Sequence, residues 1–582
     1  MKDFAVFWEK YLHQLQTEAD RLMTQPMPEL TEELFSLFEQ TGSRTEYENV
    51  YFARRKFLMV FGIKALAEQI LEGEVSLKTR GKLESVLTEI CREECWAVPA
   101  HLSRKHPDWR ITIDLFAAET AQTLAELYHR LGDILPQALR MQIRENVENR
   151  VLNPFLNSEQ YGWEKSDHNW NAVCTGSIGS ACIHLWGKSE QTDQCVARVR
   201  DSLMYYLGGF ADDGTCMEGC SYYTYGMCYF VNFALELLDY TGGETDLLRG
   251  KWGKFGNGEE DKRSRIAVFQ SKCFFPDGTA VNFSDGSRLA KYNLGLMLAL
   301  KRHYPGMILP ELSAAADLLH DRCYRFVFRK LDLLEGLRLL QNGAQDELNT
   351  PAGTAAFSHI LPDAQWCIAG AENGVGFACK GGHNAEPHNH NDVGHFIYEA
   401  QGTAFLADLG AGEYTRDYFG TGRYEILCNN AFGHSVPILG GKPQQPGKEF
   451  ACNSFDATRK MGDLAVSMDL SGAYGEKGGS IFRQMIFSTA DGKLTVKDCF
   501  CFDGAFTENL ITQCEPVVTE DGVILPGEKA SARLRILGNP PLTVKAHLHR
   551  GHRGEWETVY AIRWTLLSGQ RETGFEIELL EP

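Results

Sequence analysis

The sequence predicts an α+β multidomain protein in which a helical half precedes a strand-rich half. Three observations carry this. The chain has 582 residues, more than the ~100–200 of one domain. Apolar residues recur at helical spacing through roughly the first 340 positions. After them, short β-rich runs alternate with turn residues.

The helical elements come first. An apolar run leads into Glu68-Gln69-Ile70-Leu71-Glu72. The segment from Leu115 to Leu135 places Leu115, Ala118, Ala121, Leu124, Leu127, Leu131 and Ile134 at helical spacing. Phe230 to Leu238 and Leu294 to Leu300 repeat the pattern. These segments end at Gly or Pro, as helix stops do. Amphipathic helices in series predict an α/α barrel or an α-solenoid. The absence of a strict period of about 20–50 residues weakens the solenoid version. The character changes between Asn342-Gly343-Ala344 and Pro351-Ala352-Gly353, which sets domains of 1–345 and 346–582. Beyond that point Gly394 to Glu399, Lys493 to Asp498 and Leu542 to Leu548 read as strands. Asp491-Gly492 and Asp521-Gly522 are hairpin turns. The second half therefore reads as a sandwich of antiparallel sheets.

Composition removes some function classes. A net charge of −19 opposes nonspecific nucleic-acid binding, which needs a positive surface. An acidic sugar partner needs a locally basic cleft instead. No apolar run approaches the ~18 residues of a membrane helix. Charged residues fill Met1 to Lys10 where a signal peptide needs an apolar core, so the expectation is a cytoplasmic protein. The seventeen cysteines form no CxxC pair and read as reduced, buried thiols.

Three stretches carry chemistry. The first is Ser166-Asp167-His168-Asn169-Trp170-Asn171, followed by the run Thr175-Gly176-Ser177-Ile178-Gly179-Ser180. Amides and imidazoles suit a carboxylate, and an indole suits a sugar face. The alternative is a loop and N-cap cluster before a buried helix. The second is Asp212-Asp213-Gly214 with Glu218-Gly219-Cys220-Ser221-Tyr222-Tyr223-Thr224-Tyr225. A phenol moves protons only where a nearby cation or donor stabilises the phenolate. A packed aromatic cluster is the alternative for at least one of the three tyrosines. The third is Pro387-His388-Asn389-His390-Asn391-Asp392-Val393-Gly394-His395, with Asp408 and His434 downstream. Imidazoles and carboxylates make a zinc-type site, and imidazole also moves protons near neutral pH. In a strand, His388, His390 and Asp392 line one face. A hairpin turning at Gln401-Gly402 pairs 395 with 408, so spacing alone leaves open which histidine joins Asp408. His383 and His395 read equally well as ordinary hydrogen-bonded histidines.

Together these residues resemble the heparinase II/III-like polysaccharide lyases. The resemblance runs through His388-Asn389-His390-Asn391-Asp392, Leu406-Ala407-Asp408-Leu409-Gly410, Arg423-Tyr424-Glu425 and Asn430-Ala431-Phe432-Gly433-His434. It extends to Asp213-Gly214, Glu218 to Tyr222, Asn169-Trp170, Trp96 to His101 and Ile113 to Phe116. It implies an N-terminal incomplete α/α toroid followed by a C-terminal antiparallel β-sandwich domain. It implies that Tyr222 is the catalytic phenol, ahead of Tyr225 and Tyr223, and His388 the catalytic imidazole. Asn169 clamps the substrate carboxylate. Trp170 stands where alginate-cleaving relatives have His, and His168 is the neighbour that can replace it. His390, Asp408 and His434 are the implied ligands of a structural Zn2+. Trp170, Tyr225, Glu218, Arg416 and Arg423 are the expected substrate contacts, with an ion pair to Glu425 the other reading of Arg423.

The implied reaction is β-elimination on a uronic-acid-containing oligo- or polysaccharide. A C5 proton is removed, the C4–O bond breaks and an unsaturated uronate forms. The partner is thus an anionic glycan, and the chain is compatible with a homo-oligomer. Two other readings use the same residues: a uronyl C5-epimerase, and a non-catalytic carbohydrate-binding protein with a structural metal. A weaker fourth treats Glu218 and Asp213 as the carboxylate pair of a hydrolase.

Overall fold

The computed structural model describes residues 2–255, 261–342, 356–475, 479–566 and 569–580. They form two compact units. One comprises Met1–Phe210, Tyr222–Ala267 and Lys291–Thr350, the other Ala211–Ser221, Val268–Ala290 and Pro351–Pro582. The boundary expected at 345/346 lies outside the described residues. Two earlier segments, 211–221 and 268–290, belong to the second unit although they interrupt the helical half of the sequence.

The first unit is helical. The helix Leu115–Arg130 buries Leu115, Ala118, Ala121, Leu124 and Leu127, the residues whose spacing predicted it. It begins at Asp114, whose carboxylate accepts from the Ala117 N–H at 2.8 Å, a standard N-cap. The helix Asn169–Trp186 contains the Gly/Ser run. A Cβ on Gly179 would lie 2.4 Å from the Phe233 ring, and one on Gly176 2.8 Å from the Tyr229 carbonyl oxygen. Small residues there let this helix approach the helix Cys220–Tyr240 closely. No described helix is long and apolar enough to cross a membrane.

The second unit is built of antiparallel sheets. A five-stranded sheet runs Phe357–Leu361, Trp366–Gly370, Val375–Lys380, Phe396–Ala400, Thr403–Leu406. An eight-stranded sheet has Glu572–Leu580 and Leu494–Cys501 at its centre, and a four-stranded sheet pairs Leu542–Arg550, Trp556–Leu566, Phe506–Thr512 and Ile438–Leu439. Strands Asp463–Asp469 and Ser480–Ser488 bury every second residue, the signature of a sheet with one face in a core. Phe377, Phe487, Met485, Phe506, Trp564 and Phe575 join the sheets in one apolar core.

The Gln401-Gly402 turn forms as expected, with both residues at positive φ and Ala400 opposite Thr403. A register shift then places Tyr398 opposite Leu406. Buried Arg483 donates to Asp498 and Glu508 and to the carbonyls of Gly394 and Ser435 at 2.9 Å. It ties both flanks of the histidine-rich region to the sheets.

Candidate active site and metal centre

The histidine-rich segment is not a strand. Residues 385–395 form a loop between His383–Asn384 and Phe396–Ala400. His388 sits at φ 57°, in the left-handed region that a non-glycine residue adopts only when its surroundings impose it. That turn sends His388 one way and His390 and Asp392 another, so the expected common strand face does not exist.

His390, Asp392, Asp408 and His434 converge, each offering a ligand atom within 4.8 Å of the others, and all four are buried. Their hydrogen-bond partners fix which atoms point inward. His390 donates Nε2–H to Asp285 Oδ1 at 3.0 Å, and His434 donates Nε2–H to the Cys428 carbonyl at 2.8 Å. Each ring therefore keeps an Nδ1 lone pair, and neither Nδ1 has a hydrogen-bond partner. Asp392 spends Oδ1 on Lys380 Nζ at 2.8 Å, and Asp408 spends Oδ1 on the Gly410 N–H at 2.7 Å. Oδ2 of each is likewise buried without a hydrogen bond. Four inward-facing acceptors, of which only Asp408 Oδ2 has a donor beside it (the His395 ring, 3.3 Å away), are costly unless a cation sits between them.

Two neutral imidazoles and two carboxylates are a donor set suited to a tetrahedral divalent ion such as zinc. The second hydrogen bond of each ring is the orienting contact such sites require. His395 is excluded as a ligand by the same logic. Its Nδ1 accepts the Ser435 N–H at 2.9 Å, so Nε2 carries the proton and faces Asp408 Oδ2 at 3.3 Å. This settles which histidine's lone pair faces Asp408, and it adds Asp392, which spacing had not assigned to the metal. Burial presses the His434 pKa down to about 4 against the attraction of Asp408. A second group, Glu126, His184 and Glu236, already holds a cation: Lys330 Nζ lies 2.7 Å from both carboxylates.

Asp285 is the centre of the other half of the site, and sequence reading missed it. It is buried, and its Oδ2 accepts Nδ1–H of His388 at 2.7 Å and the Tyr414 hydroxyl at 3.2 Å. Its Oδ1 accepts Nε2–H of His390 and the Tyr418 hydroxyl. Arg423 Nη2 lies 3.6 Å from Oδ1. Burial opposes the charge, but the two imidazole hydrogen bonds outweigh it and hold Asp285 well below the usual carboxylate range. His388 Nε2 faces Glu218 Oε1 at 3.5 Å. Burial disfavours its imidazolium, yet hydrogen bonds to Asp285 and Glu218 push its pKa up to about 9.

The signal for Asp285 is present in the sequence. Pro276-Asp277-Gly278 and Asp285-Gly286 are turn pairs separated by only six residues, inside an otherwise helical half. The structure folds this piece with the sheets: Phe274 bridges to Ala280, and Asn282 Nδ2 donates to the Asp408 carbonyl at 3.0 Å. Gly410, at φ 60°, makes the approach feasible, since a Cβ there would lie 2.1 Å from the Gly286 carbonyl oxygen.

His388 opens onto a pocket of about 500 Å³ lined also by Glu386, Asn389, Phe419, Arg423 and Tyr424. Arg423 donates to the Asn389 carbonyl at 2.8 Å and lies over the Tyr418 ring, so its charged partner is Asp285 rather than Glu425. Arg416 is exposed. Glu218 is buried, and Asp213 serves a turn, accepting from Thr215 and from the N–H groups of Asp363 and Ala364.

The remaining expected residues lie in the helical unit. Tyr223 is fully buried and donates to the Ala267 carbonyl at 3.1 Å. Tyr225 donates to Glu119 at 2.6 Å, with the Arg325 guanidinium 3.7 Å from its ring centroid. Tyr222 is only partly buried, the most accessible of the three phenols. His168 caps the helix that Asn169 begins, and Asn169 is buried. Trp170 packs edge-on against His101 at 4.9 Å.

No family model matches this chain, and no curated protein matches it. Solved structures do. Heparinase III aligns over 100% of this chain and 91% of its own, with TM-score 0.61 and 11% identity. The heparan sulfate lyase HepC from Pedobacter heparinus aligns over 96% and 84%, with TM-score 0.56 and 11% identity. A chondroitin AC lyase variant from Streptomyces coelicolor A3 aligns over 98% and 79%, with TM-score 0.50 and 11% identity. At such identities the likeness shows the fold: a helical toroid domain and an antiparallel β-sandwich domain, as in these polysaccharide lyases.

Proposed function

We propose that the protein is a lyase that cleaves uronic-acid-containing glycans by β-elimination. The observation that carries this reading is His388, a half-buried imidazole hydrogen-bonded to a buried carboxylate and opening onto a polar pocket with Arg423 in its wall. The fold shared with known polysaccharide lyases supports it.

The C5 proton of a uronate is weakly acidic because the adjacent carboxylate takes up the charge. Donors aimed at that carboxylate lower the barrier. In this reading Asn169, with His168 beside it, takes that task. The phenol of Tyr222, or the imidazole of His388 once it has given up its own proton, removes the C5 proton, and the phenol protonates the departing O4. The C4–O bond breaks, a C4–C5 double bond forms, and no water is consumed. Arg423, Arg416, Trp170 and Glu218 contact the sugar. Tyr225 is a weaker candidate, because its hydroxyl is engaged by Glu119.

His390, Asp392, Asp408 and His434 would hold a divalent ion, zinc being the best fit to two imidazoles and two carboxylates. When bound, the ion neutralises buried carboxylate charge and cross-links two loops. His390 is two residues from His388, so order at one is order at the other.

A panel of heparan-, chondroitin-, hyaluronan- and alginate-type oligosaccharides, followed by ultraviolet absorbance of the conjugated product, tests the proposal. Absorbance should rise with at least one class and stay flat with Tyr222→Phe or His388→Ala. Exchange of solvent deuterium into C5 with flat absorbance would instead identify an epimerase.

A further inference from the structure

We propose that Asp285 is the positioning residue of this site, orienting the proton-carrying imidazole and a metal-binding imidazole through its two oxygens. The inference rests on the lyase reading for its kinetic consequence but not for its geometry. Oδ2 takes Nδ1–H of His388 at 2.7 Å, and Oδ1 takes Nε2–H of His390 at 3.0 Å. The first bond leaves Nε2 of His388 to face Glu218 and the pocket. The second leaves Nδ1 of His390 to face Asp392, Asp408 and His434. One carboxylate thus fixes two tautomers, each the one its ring needs.

The surroundings are built for this. A carboxylate has about four lone-pair sites, and the hydroxyls of Tyr414 and Tyr418 fill the two that the imidazoles leave. Arg423 adds a positive charge at 3.6 Å. The backbone is held in unfavourable conformations on both sides of the contact, at Ser284 with φ 62° and at His388 with φ 57°. Two non-glycine residues at positive φ, one the chain neighbour of Asp285 and the other its partner, are tolerated only where packing over-determines the position.

The carboxylate cannot be replaced by its amide. Asparagine offers one acceptor oxygen and places an NH2 where the second imidazole N–H points. One of the two rings must then turn or change tautomer. In triads where a carboxylate orients a catalytic imidazole, the amide variant costs about 10⁴ in kcat, and lost orienting contacts at metal ligands cost about 10–100-fold in affinity.

The test uses the full chain with Asp285→Asn, and Asp285→Glu as the alternative should the amide variant fold poorly. Folding is checked by circular dichroism and bound zinc by elemental analysis. With the glycan that wild type cleaves, kcat should fall at least 100-fold with KM changed less than about threefold. Saturating zinc should restore metal content without restoring kcat. Full recovery of kcat by zinc would overturn the proposal, because Asp285 would then serve the metal alone. So would a rise in KM at unchanged kcat. Should wild type cleave nothing, ¹⁵N-histidine spectra still decide. Recorded above about pH 9, where the His388 ring is neutral, His388 and His390 should show Nδ1–H and Nε2–H in wild type, with one pattern lost in Asp285→Asn. Unchanged ring signals in the variant would sink the proposal while leaving the lyase question to the glycan panel.

Discussion

Removing the metal should melt the sheet unit early, and the size of the effect follows from four atoms. His390 Nδ1, His434 Nδ1 and Asp392 Oδ2 are buried with no hydrogen-bond donor, and Asp408 Oδ2 has only the His395 ring nearby, at 3.3 Å. Each buried polar group left unsatisfied costs about 1–3 kcal/mol. Relief of the first three gives about 3–9 kcal/mol, a range that contains the roughly 4 kcal/mol of linkage expected at free metal about 1,000 times Kd. For a unit of this size each kcal/mol shifts Tm by about 2–4 °C. Chelation should therefore lower the Tm of the sheet unit by about 6 °C or more. Calorimetry before and after dialysis against a chelator, with zinc added back, measures this. Asp408→Asn should reproduce the loss and not respond to zinc. A chelated protein with unchanged Tm and no bound metal at any stage would refute the reasoning, and the four acceptors would need another explanation.

Other outcomes follow from single contacts. Tyr222→Phe should abolish product formation with little change in Tm. Tyr225→Phe should instead cost about 1–3 kcal/mol by removing the hydroxyl that donates to the Glu119 carboxylate; denaturant titration and turnover of both variants separate the two effects. Gly410→Ala should lower metal content and Tm together, because the added Cβ meets the Gly286 carbonyl oxygen and the residue needs φ 60°. Elemental analysis beside a melting curve reads both. Stability should also fall in mild acid through His359. Burial, with Lys272 and Arg459 nearby, depresses its pKa from 6.5 to about 4. A folded-state pKa below the unfolded one means the fold prefers the neutral ring, so this contribution is complete above about pH 6.5 and is lost as pH falls toward 4. Urea midpoints across that window should fall less steeply for His359→Gln.

Much of the fold was legible because it is written in local periodicity. Leu115 to Leu131 repeats at helical spacing and forms a helix buried on nearly every face, and the Asp-Gly pairs at 491–492 and 521–522 turn hairpins. The segments 211–221 and 268–290 were not assigned to the sheets, because surrounding helical periodicity outweighed their turn signals. Within the site, residue types pointed to imidazole and carboxylate chemistry, but spacing could not choose between His390 and His395. That choice is made by tautomers, which depend on distant partners: Asp285 for His390 and the Ser435 N–H for His395. Asp285 lies 103 residues before His388, and no local pattern encodes such a pairing. The strand expected at 388–392 failed for a related reason, since the left-handed turn at His388 is imposed by tertiary contacts rather than by propensity.

The central claim is elimination, and the mass of the products tests it most directly. The oligosaccharide that gives the strongest ultraviolet response should be digested in ¹⁸O-water and weighed by mass spectrometry. Elimination predicts two fragments whose masses sum to that of the substrate, one carrying the double bond and neither carrying ¹⁸O at the cleaved linkage. Fragments that together exceed the substrate by one labelled water would mean hydrolysis, and the roles given to His388 and Tyr222 would be wrong.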